Sequence, residues 1–393
     1  MNEMRKILRN ALLCLVILTV FCSCASAELI GFGLVNAGDV AIRKDAGGGK
    51  ITRLQKGDTL WITDMKTDRQ GDLWYRVRTQ TNSKNGRVNR TGWVKAEFVD
   101  AGDSLWHDIK AVKAASYGMI ALKTDGTVLC AGENTDAGSQ DLYAALRDVR
   151  QIGTCTIGWS FFAVDGSGRL YRDALEVRTK NRIRLAGNTD LICITEDNRL
   201  QVNYEGNTRI EWVYPQNGGD TLLPQVTAMT DSYGKYLFLT EDGKVYCANE
   251  DGYPTEDYYP EPDWGTWTDV VSLNASIIPC GTYEMGGHTL RKYVPAFAAV
   301  RKDGTVLAAP AELAALTAGW NNIRKVAIGT DWILGETQDG RVLAAGIEGA
   351  VPPDVSGWTD ITDIANGRTY CVGIRENGTL LFAGEFQFDD SGS

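Results

Sequence analysis

Side chains able to do acid–base or metal chemistry are few in this sequence. Among 393 residues there are only two histidines, His107 and His288. A zinc site, or a Cys-His or Ser-His-Asp arrangement, needs partners recurring near them. None is evident: His107 fills a variable slot of a repeated mark, and His288 follows Gly286-Gly287. Acidic residues are abundant, and two carboxylates about 5 to 10 Å apart would suffice for glycoside hydrolysis. Most of the aspartates, however, stand at turns or just before strands, where the side chain bonds local backbone. The expectation is therefore a non-enzymatic chain with no cofactor and no metal. A wall or glycan hydrolase remains as the enzymatic alternative.

Two groups of residues suit binding instead. The first combines Trp74, Tyr75 and Trp93 with Arg76, Arg78, Lys84, Arg87 and Arg90. Aromatic faces stack on sugars or extended peptide, and guanidinium groups match carboxylate or phosphate. The competing expectation puts Trp74 and Trp93 in a core, with the arginines as a solvated edge. The second group lies in the Pro-rich acidic stretch from Tyr253 to Trp267, where Tyr258, Tyr259 and Trp264 offer large, rigid contact area. Its competing expectation is a loop folded back over its own neighbourhood.

The elements that must position these groups begin after a leader. Arg5, Lys6 and Arg9 precede the apolar run Ala11 to Cys22, and Ala25-Ser26-Ala27 is a small-x-small site, the pattern of a secretory signal peptide over residues 1–27. Cleavage before Cys24 with lipid anchoring is the alternative. No later run is long enough for a bilayer span, so a secreted or envelope-associated protein with no transmembrane segment is expected. Residues 28–101 carry 13 basic against 9 acidic residues, and the remainder 24 against 40. So acidic a body argues against nucleic acid as partner, since such binding rests on neutralising phosphates.

Residues 28–101 form short alternating strands broken by Gly and Asp turns, the pattern of a small barrel. Val40-Ala41-Ile42-Arg43, Lys56-Gly57-Asp58, Trp74-Tyr75-Arg76-Val77 and Thr91-Gly92-Trp93-Val94 follow one another in the order and spacing of the bacterial SH3-like family. The segment resembles that family throughout, apart from a longer, more basic loop from Thr79 to Arg90. The resemblance implies attachment to peptidoglycan or another wall polymer.

From residue 104 to 388 one unit recurs. Its turns are Asp125-Gly126, Asp165-Gly166, Asp197-Asn198, Asp242-Gly243, Asp303-Gly304, Asp339-Gly340 and Asn377-Gly378, read as two-residue hairpins. Most are preceded by a second mark sixteen or seventeen residues upstream, such as Trp106-His-Asp-Ile109, Asp148-Val149, Asn322-Ile323 and Trp358-Thr-Asp-Ile361. Trp267-Thr-Asp-Val270 lies 34 residues ahead of its turn, which predicts an inserted hairpin over 275–292. Periods of this size with strands alone favour closure over exposed edges. These copies resemble the repeats of the regulator of chromosome condensation family, and the secreted β-lactamase inhibitor protein of the second type is similar in architecture. The expected fold is all-β, an SH3-like barrel followed by a seven-bladed β-propeller.

Six cysteines follow the leader, with wide spacings and no CxxC pair. An even number in a secreted chain allows disulfides, but Cys130 and Cys247 stand where other copies carry Ala308, Ala344 and Phe382, which favours buried free thiols. The combined expectation is a binding protein whose barrel holds wall material and whose propeller faces another protein or glycan. The alternative is a protein-directed inhibitor of a wall enzyme or β-lactamase.

Overall fold

The computed structural model describes residues 27–384 apart from 84–85, 102–105, 116–117, 133–141, 144, 155–159, 188–191, 203–209, 215–223, 233 and 251–261. Residues 1–26 of the leader and Tyr253, Tyr258 and Tyr259 thus lie outside the described residues. What is described is almost wholly β, with an α-helix at Ala311–Thr317, α-helical residues at 142–143 and 145, and a few single 3₁₀ turns.

The chain opens with eight strands: β1 (Ala27–Leu29), β2 (Gly31–Val35), β3 (Val40–Arg43), β4 (Lys50–Leu54), β5 (Thr59–Thr67), β6 (Leu73–Ser83), β7 (Gly86–Lys95) and β8 (Val99–Asp100). Seven of them form one sheet in the order β4-β3-β7-β6-β5-β2-β8. One face encloses a core of Val40, Ile42, Leu60, Ile62, Val77 and Val94. Strand β1 leaves this unit and pairs with Leu380–Phe382.

Seven further antiparallel sheets follow in chain order. Their first strands are Ile109–Ala114, Val149–Thr154, Ile183–Ala186, Val226–Ser232, Val270–Met285, Ile323–Ile328 and Ile361–Asn366, save that the fourth sheet also carries the earlier Ile210–Tyr214 at its opposite edge. Each middle strand is buried on both faces, because a strand sends alternate side chains to opposite sides of its sheet. In Gly118–Lys123, Met119 and Ala121 enter the core shared with the last sheet, while Ile120 and Leu122 enter the core shared with the second. The uninterrupted apolar run Met-Ile-Ala-Leu thus serves two cores. A core of this kind lies between every consecutive pair of sheets, and one joins the seventh sheet to the first.

One backbone device links all these neighbours. The N–H that opens each first strand bonds to the turn of the sheet before it. Val149 N–H donates to the Gly126 carbonyl at 2.9 Å, Ile183 to Gly168 at 2.8 Å, Val270 to Gly243 at 2.9 Å, Ile323 to Gly304 at 3.0 Å and Ile361 to Gly340 at 2.9 Å. Ile109 N–H donates to Gly378 at 3.1 Å, returning the succession to its start. Where Asp197-Asn198 lacks the glycine, the Asn198 side-chain oxygen accepts from Val226 N–H at 3.0 Å instead. The residue before each first strand is Asp108, Asp148, Asp269, Asn322 or Asp360 in five of the sheets, all at φ between 53° and 59°. Asp and Asn tolerate that left-handed region better than other side-chain-bearing residues. The two sequence marks are therefore the two halves of one contact.

Three expectations change. The hairpins are three-residue loops: Gly126 N–H bonds Lys123 carbonyl, and Gly126 takes φ 82°, a type I turn closed by a left-handed residue. In the second sheet the turn is Ser167-Gly168 rather than Asp165-Gly166, since Gly168 has φ 82° and its N–H bonds Asp165 carbonyl. Finally, 275–292 is not a separate hairpin. It lengthens two existing strands, Val270–Met285 and His288–Arg301, which stay paired to Met285 opposite His288.

The first unit packs into the seam between the last sheet and the first. Phe32 and Trp61 join Trp106, Tyr370 and Phe382 in one core, with Trp61 and Phe382 rings 4.4 Å apart and Phe32 and Trp106 rings 4.7 Å apart. Tyr370 hydroxyl donates across the same seam to Gly118 carbonyl at 2.6 Å.

Candidate functional site

On the first unit, β6 and β7 place Trp74, Arg76, Arg78 and Trp93 on one face, because Arg76 lies directly opposite Trp93 and Lys95 opposite Trp74. The other face of these strands supplies Val77 and Val94 to the core. The tryptophans are thus on the arginine-bearing face, yet both are buried. Trp74 Nε1 donates to Asp68 Oδ2 at 2.8 Å, and Lys66 Nζ sits 4.0 Å from the Trp93 ring centroid. Lys66 is in turn held by Asp45. Arg76 is exposed, and Tyr75, Arg78 and Arg90 are half-buried. Arg90 pairs opposite Thr79, so it belongs to the other face. The backbone of Arg87 lies in β7, opposite Asn82. This face therefore offers an exposed guanidinium beside two buried tryptophans, Trp93 covered by Lys66 and Trp74 tied to Asp68.

Of the second group, Trp264 is described. It is buried against Trp267 and Phe297, with ring centroids 5.0 and 5.6 Å away. Its 3₁₀ turn is capped by Asp263, which accepts from Gly265 N–H. It anchors the approach to the fifth sheet. His107 contacts its neighbour Asp108, and His288 is exposed at the tip of the long hairpin. Among the described residues no group of His, Cys, Asp or Glu is placed to hold a metal ion.

Cys130, Cys193, Cys247 and Cys371 are buried free thiols, and Cys280 is an exposed one. Burial pushes the Cys247 thiol up to about 12, so it is a packing residue rather than a nucleophile.

A third site comes from the first strands of five sheets. They surround a cavity of about 70 Å³ lined by Lys113, Thr154, Asn274, Ser276, Lys325 and Arg368, among others. Lys325 pairs with Asp363. Asp363 also accepts from Val112 N–H at 3.3 Å and from Ile364 N–H at 3.0 Å, tying the last sheet to the first. Lys113 is half-buried and makes no hydrogen bond found among the described residues. Burial pushes its ammonium down to about 8, with Lys325 adding to the shift and Asp363 opposing it. Asn274 Oδ1 accepts from Ile328 N–H at 2.7 Å, leaving the amide nitrogen as donor. This cavity was not foreseen, because its charged residues occupy non-equivalent positions in three copies of the repeat.

No protein-family profile matches the chain, and no curated protein is similar to it. Several solved structures are similar to it. The computationally designed Ika8 protein is 12% identical, covering 91% of this chain and 100% of its own, with a TM-score of 0.39. The Cps50 (Swd1) β-propeller domain of Myceliophteria thermophila is 10% identical over 71% of this chain and 97% of its own, at 0.35. Prp20p of Saccharomyces cerevisiae is 14% identical over 84% and 70%, at 0.26. Among the described residues no helix is long and apolar enough to cross a membrane.

Proposed function

We propose that this chain is a secreted, non-enzymatic binding protein of the cell envelope, with residues 28–101 as an SH3-like barrel and 104–388 as a seven-bladed propeller. The barrel attaches to peptidoglycan or another wall polymer, and the propeller presents a face to a protein or glycan. The observation that carries this reading is the seam. Phe32 and Trp61 of the first unit share a core with the last and first sheets, so a ligand held by one unit is held at a set position relative to the other. Sedimentation of the chain from residue 28 with purified peptidoglycan tests the wall half. Co-sedimentation that falls at least several-fold in Arg76→Glu/Arg78→Glu supports it, and no co-sedimentation removes it.

One feature favours a protein-directed alternative. The hairpin tip exposes Tyr283 and Met285, at 46% and 61%, and its base is fixed by Arg291 to Asp331 at 2.7 Å. Large side chains on a fixed projection suit insertion into a partner's cleft. Pull-downs with penicillin-binding proteins and β-lactamases check this second reading, the expected result being a complex lost in Tyr283→Ala/Met285→Ala.

A further inference from the structure

Most of this molecule is acidic, yet its central cavity is not. Among the described residues the charged side chains lining the cavity are Lys113, Lys325 and the exposed Arg368, and the carboxylate of Asp363 pairs with Lys325 beside it. Asp363 is already engaged by Lys325 and two backbone N–H groups. Lys113 projects from the first sheet, Lys325 from the sixth, and Arg368 from the loop after the seventh sheet's first strand, so positive charge converges from several sides. The half-buried Lys113 ammonium makes no hydrogen bond found among the described residues, and an anion seated in the cavity would supply one, since a partly buried charge is stabilised by pairing.

We propose that the cavity binds a small tetrahedral oxyanion of the phosphate or sulfate class, held by Lys113 with Arg368 and the Asn274 amide. Size allows this group, because a cavity of about 70 Å³ is several times the ~10–15 Å³ that a single water needs. The donors also match, because a tetrahedral oxyanion presents acceptors in several directions at once and charge-assisted bonds to it are the stronger kind. The anion is either free or the terminal group of a larger molecule entering from the open side. Since Lys113, Lys325 and Asp363 lie close enough to act on one another, with Arg368 also lining the cavity, occupancy also depends on pH. Deprotonation of Lys113 removes a charge from the site, whereas Arg368 keeps its own.

The test is calorimetric titration of the chain from residue 28 with sodium sulfate at constant ionic strength, with chloride as the control. Sulfate does not titrate in this range, so any pH dependence belongs to the protein. Binding in the millimolar range or tighter is expected at pH 7, weakening at least several-fold by pH 9.5. Lys113→Gln should weaken it about tenfold and abolish that pH dependence. Lys113→Arg should retain binding and also lose the pH dependence, which keeps the idea testable if the glutamine variant fails to fold. Inorganic phosphate and glycerol phosphate at pH 7 distinguish a free anion from a terminal group: binding of the first alone assigns the free ion, and binding of both the terminal group. No sulfate binding, equal heats with chloride, or an undiminished affinity in Lys113→Gln would overturn the proposal.

Discussion

At the scale of single residues, the stability of this protein turns on a few carboxylates and one lysine. Asp165 is nearly buried and gathers bonds from Ser167 N–H and hydroxyl, Arg169 N–H and guanidinium, and Tyr171 hydroxyl. Burial alone would raise its pKa, but these bonds outweigh it and bring the carboxyl to about 2. A depressed carboxyl stabilises the fold above its unfolded pKa and ceases to do so as pH falls through the folded one. Asp165→Asn should therefore cost about 2 kcal/mol at pH 7, with the difference from wild type shrinking between pH 4 and 2 in urea titrations. Lys113 has the opposite sign. Its pKa of about 8, against an ordinary 10.5, means the folded chain holds fewer protons between those values. Its destabilising effect is full below pH 8 and is relieved as pH rises through 10.5. Lys113→Met should gain about 1 to 3 kcal/mol at pH 7, read as a raised denaturant midpoint, while losing the proposed anion site. The chemistry of Asp165 was legible as a turn aspartate, but its register was not, since Asp-Gly also occurs two residues before the working Ser-Gly.

At the scale of elements, the turn glycine is where sequence and structure agree most closely. Gly378 has φ 78°, and a Cβ there would lie 2.9 Å from Asp108 Cα. Gly57 has φ 91° with nothing within 4 Å. Both substitutions to Ala strain the backbone, at about 1 kcal/mol, but only Gly378→Ala also pries open the seam between the seventh sheet and the first. The expected cost is about 2 to 4 kcal/mol for Gly378→Ala and about 1 kcal/mol for Gly57→Ala, compared by equilibrium unfolding. The missing glycine in the third copy, read as degeneracy from sequence, is replaced by the Asn198 amide performing the same acceptor role. The long fifth hairpin shows why insertion lengths are hard to place. Seventeen extra residues spaced the marks apart, but only strand pairing decides whether they add a hairpin or extend one.

At the scale of the whole molecule, the first unit is part of the closing seam. Trp61 is buried at 3% and touches both Tyr370 and Phe382. Trp61→Ala should cost about 3 to 5 kcal/mol and separate a single calorimetric transition into two, as the first unit loosens from the sheets. A single transition with an unchanged midpoint would show that the packing contributes nothing to cooperativity.

Local chemistry is what the sequence by itself determined. Turn dipeptides, pre-strand aspartates and apolar runs specify φ, hydrogen bonding and burial within a few residues, so the all-β class, the recurrence of one unit and the burial of Cys130 and Cys247 were readable. Tertiary structure alone decided that glycine and aspartate of successive copies meet, that Trp61 and Phe32 complete the last seam, and that Lys113, Lys325 and Arg368 converge on one cavity. The reason is physical. A repeat encodes each sheet's contact with its neighbour many times over, whereas the cavity arises from the positions at which the copies differ, and those meet only when the seventh sheet packs on the first.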